Sequence, residues 1–209
     1  MKGAIFDLDG TLMDSMDAWA GMWKSFLYEK GLTPPERFTQ DITPLGPLGT
    51  ARYLQRLGLD REEHAIVEMF QARILPAYQH DILPKPGVPT YLRKLKAEGV
   101  KLCVLTASPQ KFVQPCLTRA GLWELFDIAW SCDDVGMKKS DPAIYPYTAK
   151  ALGVPFEETV FFDDNLGALT AAHQAGVYTV GVYDESSAAD RPQIERIVDR
   201  YIESFEELA

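Results

Sequence analysis

The sequence predicts an α/β fold: a parallel sheet covered by helices on both faces, with an all-helical segment inserted after the first strand. Three observations predict it. From Gly87 onward, short apolar runs alternate with stretches of helical period, the rhythm of parallel strands joined by helical crossovers. The chain opens on a short apolar run, residues 2–6, that breaks abruptly at Asp7. Residues 15–84 carry helical periodicity and no strand pattern, yet lie between that first strand and the later strand–helix units. The expected division is a core of residues 1–14 and 85–209 and a helical cap of residues 15–84.

At 209 residues the chain has material for one ordinary core and a modest insertion. Its 46% hydrophobic and 24% charged residues are the balance of a globular protein. A net charge of −9 argues against a nucleic-acid or anionic-membrane partner. It leaves room for a small anionic substrate, because a bound cation can reverse the local field. Cys103, Cys116 and Cys132 are odd in number and contain no Cys-x-x-Cys pair, so they read as buried thiols. His64, His80 and His173 are scattered and read as surface or helix-packing residues. No signal peptide precedes the first strand and no apolar run approaches 18 residues, so the expected location is cytoplasmic. Oligomeric state is left open.

In chain order, residues 14–30 carry Met16, Trp19, Ala20, Trp23, Phe26 and Leu27 at helical spacing, with Asp14 or Ser15 as cap and Gly31 as stop. Pro34 and Pro35 break the chain. Residues 42–49 read as a turn-rich loop, followed by helices at about 50–57 and 61–78. Gly46, Pro47, Leu48 and Gly49, with Thr50 and Arg52 beside them, are the expected loop facing the site. Arg52 is either a contact for a second anionic group or a solvated helix residue.

The core then runs helix 88–98, strand 100–105, helix to about 120, strand 128–131, helix 142–152, strand 159–162, helix 168–175 and strand 177–182. Residues 193–199 and then 201–202 add a helix and an edge strand. No repeat or flexible linker interrupts the pattern.

Chemistry gathers at the strand ends, where open α/β sheets keep their sites. In extended backbone, Asp7 and Asp9 point the same way and sit about 6.6 Å apart. Two carboxylates so close repel unless a cation, or a shared proton, lies between them. The bland alternative makes Asp9 or Thr11 an N-cap for a following helix. Thr106 closes the second core strand, and its hydroxyl with the amides of Ala107 and Ser108 is a natural seat for phosphate oxygens; a plain cap is the competing reading. Lys138 and Lys139 precede Asp141-Pro142, read as the N-cap and first position of a helix. Asp163 and Asp164 end a buried apolar run, where adjacent carboxylates destabilise unless paired or metal-bound. One of them could cap a helix, but not both. Their hard oxygen atoms suit Mg²⁺.

Asp7-Leu8-Asp9-Gly10-Thr11, Thr106, Lys139 and Asp163-Asp164, in that order and each at a strand end, resemble the motif set of the haloacid dehalogenase-like (HAD) superfamily. The resemblance spans essentially the whole chain and falls in the phosphoglycolate phosphatase and β-phosphoglucomutase branch. It implies a Rossmann-like core with a helical cap, and a Mg²⁺-dependent phosphatase acting on a small phosphorylated metabolite. It further implies Asp7 as nucleophile and Asp9 as acid/base. Thr106, Ala107, Ser108 and Lys139 would hold the phosphoryl group, and the metal would lie on Asp7, the Asp9 carbonyl, Asp164 and Asp163. Dehalogenases of the superfamily generally lack the second aspartate of Asp-x-Asp, so Asp9 argues against dehalogenation. β-Phosphoglucomutases carry a cap histidine about where Trp19 stands, so transfer to water is favoured over transfer to a sugar. A non-catalytic binding module of this fold is the remaining alternative, although every expected motif residue is present.

Overall fold

A computed structural model describes residues 1–35, 38–42 and 45–209. The elements are β1 (Gly3–Phe6), α1 (Met16–Glu29), α2 (Phe38–Ile42), α3 (Gly46–Arg56), α4 (Glu63–His80), α5 (Val88–Ala97), β2 (Lys101–Thr106), α6 (Gln110–Arg119) and β3 (Ile128–Ser131). Then come α7 (Cys132–Val135), α8 (Ile144–Leu152), β4 (Thr159–Asp163), α9 (Leu166–Ala175), β5 (Tyr178–Val182), α10 (Arg191–Ile197) and β6 (Arg200–Ile202). Among the described residues, six strands form one parallel sheet in the order β3-β2-β1-β4-β5-β6.

The first strand is central because its sequence is apolar on both faces. All four residues of β1 are buried, as strands covered by helices on two sides must be. Phe6 and Val104 are register partners across one edge, Phe6 and Phe162 across the other. The Phe6 and Phe162 rings stack at 4.5 Å. The chain moves from β1 to β2 on one side and reaches β4 on the other, which leaves a crevice at the carboxyl ends of β1, β2 and β4. The register sets Asp7, just past Phe6, beside Asp163, just past Phe162; the Asp7 amide donates to the Phe162 carbonyl at 2.9 Å.

Two apolar clusters flank the sheet, and a third holds the helical insertion together. Phe26, Leu27, Phe38, Ala51, Leu54, Ile66 and Phe70 form that third cluster. The carboxyl-terminal half of α4 belongs to the main core instead: Ile74 and Tyr78 pack there, with Ile82 just past the helix end, and Tyr78 stacks on Phe112 of α6 at 4.6 Å. The two connections to the insertion run side by side. The Asp14 amide donates to the Leu83 carbonyl and the Lys85 amide to the Leu12 carbonyl, each at 2.9 Å.

Three local expectations are corrected. The helix expected from residue 50 begins at Gly46, with Pro47 in its first turn, where a missing N–H costs nothing. Residues 46–49 are therefore a helix start rather than a loop, and residues 43 and 44 of the expected loop lie outside those described. Neither Asp14 nor Ser15 caps α1; Ser15 stands at the N-cap with helical backbone angles instead of the extended ones a capping side chain needs, and its hydroxyl donates to Asp9. Regular helix starts at Ile144 and not at Pro142, although the Asp141 carboxylate does accept the Ala143 amide at 2.9 Å. All three cysteines are free and buried, and the three histidines are exposed. No helix among the described residues is long and apolar enough to cross a membrane.

Candidate active site

Asp7, Asp163 and Asp164 converge at the ends of β1 and β4, each offering a carboxylate oxygen within 4.8 Å of the others. All three are buried. Lys139 reaches into the same place, its Nζ 2.7 Å from Asp7 Oδ1 and 2.7 Å from Asp163 Oδ2. Burial works against the Lys139 ammonium, but the charges of Asp163 and Asp7 outweigh it and hold its pKa well above the ordinary lysine value. Lys138, its neighbour in sequence, is exposed. Three carboxylates against one ammonium leave two negative charges uncompensated, the charge of one divalent cation. The donors are all hard oxygens, so the residues present fit such an ion. Burial, and then the neighbouring charges of Asp163 and Asp7, push Asp164 well above the usual carboxylate range, the strain that a cation would relieve.

The acidic pair is divided by its contacts. Both Asp163 oxygens are engaged, one by Lys139 and one by the Asn165 amide at 2.7 Å. Asp164 accepts the Thr11 hydroxyl at 2.9 Å. Neither aspartate caps α9; Asn165 does, accepting the amides of Gly167 and Ala168. Gly10 makes the close approach possible. Its φ is +77°, and a Cβ there would lie 2.8 Å from Asp164 Oδ2.

Asp9 is set apart. Its carboxylate accepts three hydroxyls: Ser15 at 2.7 Å and Tyr78 on one oxygen, Ser108 at 2.5 Å on the other. The Trp19 indole N–H donates in turn to the Tyr78 hydroxyl at 2.8 Å. Burial and then the Asp7 charge raise the pKa of Asp9, while the hydroxyls of Ser108, Tyr78 and Ser15 pull it down. The capping alternative for Asp9 and Thr11 is thereby excluded, since both side chains are spent inside the site. Ser108 likewise does not cap α6: its amide donates to Thr106 Oγ1 at 3.0 Å and its hydroxyl to Asp9.

Several of these partners escape a reading of the sequence. Tyr78 arrives from the far end of α4, 69 residues beyond Asp9, and is oriented by packing on Phe112 and by the Trp19 indole N–H. Lys85, in Pro84-Lys85-Pro86, ties the Gly10 and Tyr183 carbonyls at 2.5 and 2.6 Å and pairs with Asp184 at 2.8 Å, bracing the turn that carries Asp9. Tyr145 is fully buried, its hydroxyl 2.6 Å from the Lys139 carbonyl, which holds the lysine's loop in place. Ser15 stood close enough to Asp9 in sequence to be noticed; the others carried no local signal.

A cavity of about 620 Å³ opens over this centre, lined by Asp7, Asp9, Thr106, Ala107, Ser108 and Lys139 on the sheet side. Of the residues expected to face the site, Gly46, Pro47 and Thr50 line it from α3, but Leu48, Gly49 and Arg52 do not. Arg52 turns outward and pairs with Glu63 at 3.0 Å.

A buried carboxylate–lysine centre at the carboxyl ends of a parallel sheet, with a separate hydroxyl-held carboxylate beside it, defines an α/β enzyme. Residues 1–176 match the family model of the haloacid dehalogenase-like hydrolases. The chain belongs to that family and is a hydrolase of it. It is similar to a phosphoglycolate phosphatase of Pseudomonas putida, 29% identical over 93% of this chain and 75% of that one. A second, from Pseudomonas fluorescens, is 30% identical over 85% of this chain and 68% of its own. An N-acetylmuramic acid 6-phosphate phosphatase of Pseudomonas aeruginosa is 27% identical over 87% and 81%. Among solved structures, CbbY from Rhodobacter sphaeroides in complex with phosphate shares the fold, with a TM-score of 0.84 at 23% identity over 100% of this chain and 96% of that one.

Proposed function

We propose that the protein is a Mg²⁺-dependent phosphatase that hydrolyses a small phosphorylated metabolite through an aspartyl phosphate on Asp7. The observation that carries this reading is the separation of carboxylates: one held by Lys139 within the acidic cluster, the other held by three hydroxyls outside it. Phosphatases among the relatives support the same class of reaction. Residues 15–84 serve as the cap over the site, with the paired connections at 12–14 and 83–85 as its boundary.

An Asp7 carboxylate oxygen attacks phosphorus, the bond from phosphorus to the substrate alcohol breaks, and Asp9 delivers its proton to the departing oxygen. Asp9, now a carboxylate, takes a proton from water as that water attacks the same phosphorus. The bond to Asp7 breaks, leaving inorganic phosphate and the original carboxylate. Lys139 and the Thr106 hydroxyl offset the repulsion between the anionic nucleophile and the anionic substrate. Asp7, Asp164 and the Asp9 carbonyl would hold the metal with Asp163 in support, and the ion supplies Lewis-acid polarisation of the phosphoryl oxygens. No histidine lines the cavity among the described residues, and Trp19 donates to Tyr78, so nothing here favours a phosphomutase.

Phosphate release from a panel of phosphorylated metabolites and a generic aryl phosphate, with Mg²⁺ and with chelator, tests the reading. Mg²⁺-dependent turnover is expected. Equal turnover in chelator would remove the metal from the mechanism, and no turnover on any substrate would remove the phosphatase.

The hydroxyl cage on Asp9 makes its own prediction. Tyr78→Phe deletes one donor to the Asp9 carboxylate at constant shape, and kcat should fall about 10-fold. The sign of the pH effect follows from which form the hydroxyl stabilises. Removing a donor to the charged carboxylate raises the Asp9 pKa further, so the protonated acid persists to higher pH. The alkaline limb of the kcat–pH profile should therefore move up, by as much as about one unit. A downward shift would show that Tyr78 does not act through Asp9.

A further inference from the structure

We infer that the cavity selects a phosphomonoester whose alcohol carries an uncharged aromatic or heteroaromatic ring. This rests on the phosphatase reading for the phosphate end and concerns only the other half of the substrate. Away from the strand ends the cavity wall is built by Trp19, Trp23, Val67 and Phe70. Trp19 and Trp23 lie nearly parallel with centroids 6.2 Å apart, and Trp23 sits 3.8 Å from Phe70. Both indoles are only half-buried, so they present ring surface to the cavity. Aromatic surface left open to a cavity in this way stacks planar groups regardless of their hydrogen-bonding pattern.

Charge argues the same way. Among the described residues, Lys139 is the only cation lining the cavity, and it is already bound to Asp7 and Asp163. Arg52 of α3 does not line the cavity and is paired with Glu63 at 3.0 Å. A carboxylate or second phosphate on the leaving group would therefore be desolvated against indole and aliphatic surface with no partner, which is strongly unfavourable. Few uncharged polar side chains face the leaving group: the Thr50 hydroxyl donates to the Ile42 carbonyl, and Gln71 stands on the cap side, with Ser140 and Asn165 on the side of the strand ends. Size agrees: about 620 Å³ lies within the range of roughly 300–1,000 Å³ that holds ligands of a few fused or linked rings. The two-carbon acid phosphate named for several relatives would leave most of that wall uncovered.

Two arms test this with the full chain and Mg²⁺. Hydrolysis of benzyl phosphate and a nucleoside 5′-monophosphate is compared with that of phosphoglycolate and glucose 6-phosphate. Binding of benzylphosphonate, methylphosphonate and phosphonoacetate, none of which can be hydrolysed at an ester, is read by tryptophan fluorescence. Ring-bearing ligands should lead by about 10-fold or more in both kcat/KM and Kd. Trp23→Ala should erase that lead chiefly through KM, and Trp23→Leu, which keeps the cap core filled, should do the same if the smaller side chain unfolds it. Phosphoglycolate as the preferred substrate, or phosphonoacetate binding as tightly as benzylphosphonate, would overturn the inference while leaving the phosphatase intact. Selective benzylphosphonate binding without any hydrolysis would uphold the ring pocket and overturn the phosphatase. A loss in Trp23 variants that is equal for every substrate would overturn the ring's role.

Discussion

Asp7→Asn should lower kcat by about 10⁴-fold or more while leaving the protein folded. The amide keeps the shape of the side chain, and its oxygen still faces Lys139 Nζ, which lies 2.7 Å from Asp7 Oδ1. What disappears is the anionic nucleophile and, with it, the covalent intermediate. Stability should hold or rise, because one of three buried carboxylates has become neutral and the like-charge repulsion on Asp163 and Asp164 falls. Steady-state phosphate release with a thermal melt on the same sample makes the test. Activity within tenfold of wild type would place the nucleophile elsewhere.

Lys139→Met should be the most destabilising single change at the site. The ammonium is the only cation that contacts the acidic cluster among the described residues, and its removal strands Asp7 and Asp163 without their partner. Breaking a buried pair from one side costs about 3–5 kcal/mol, because the remaining charge stays desolvated. Turnover should fall by roughly 10³-fold, since the repulsion between nucleophile and phosphate is no longer offset. Mg²⁺ should then recover more thermal stability in the variant than in wild type, because a more negative cluster binds a divalent ion tighter. Denaturant unfolding with and without Mg²⁺ reads both effects. An equal Mg²⁺ shift in the two proteins would separate the metal from this cluster.

The strand-end chemistry was legible because it is local. Each of Asp7, Thr106 and Asp163 follows an apolar run, so the sequence marks where a buried strand stops and which side chain stands at its end. The choice of Lys139 over Lys138 came from the resemblance to the family's Lys-x-Asp-Pro string, not from the residues alone, and the exposed Lys138 agrees with it. The start of α3 was misjudged for a local reason as well: Gly46, Pro47 and Gly49 are turn formers by propensity, and a proline in the first helical turn looks the same in sequence as a loop proline. The caps at Asp14 and Ser15 failed because Ser15 keeps helical backbone angles, φ −103° and ψ −15°, where a capping side chain needs extended backbone to reach the free amides.

The sequence by itself determined the fold class, the strands and which aspartates and threonine stand at their ends, because burial and turn chemistry are written within a few residues of each. Only the tertiary structure decided the environment of those groups. Tyr78, Trp19 and Ser108 reach Asp9 from three different elements, Lys85 and Tyr145 brace the loops behind, and Trp23 and Phe70 form the wall opposite. Their meeting depends on helix packing and strand register across separations of tens of residues, and local periodicity carries no record of such contacts.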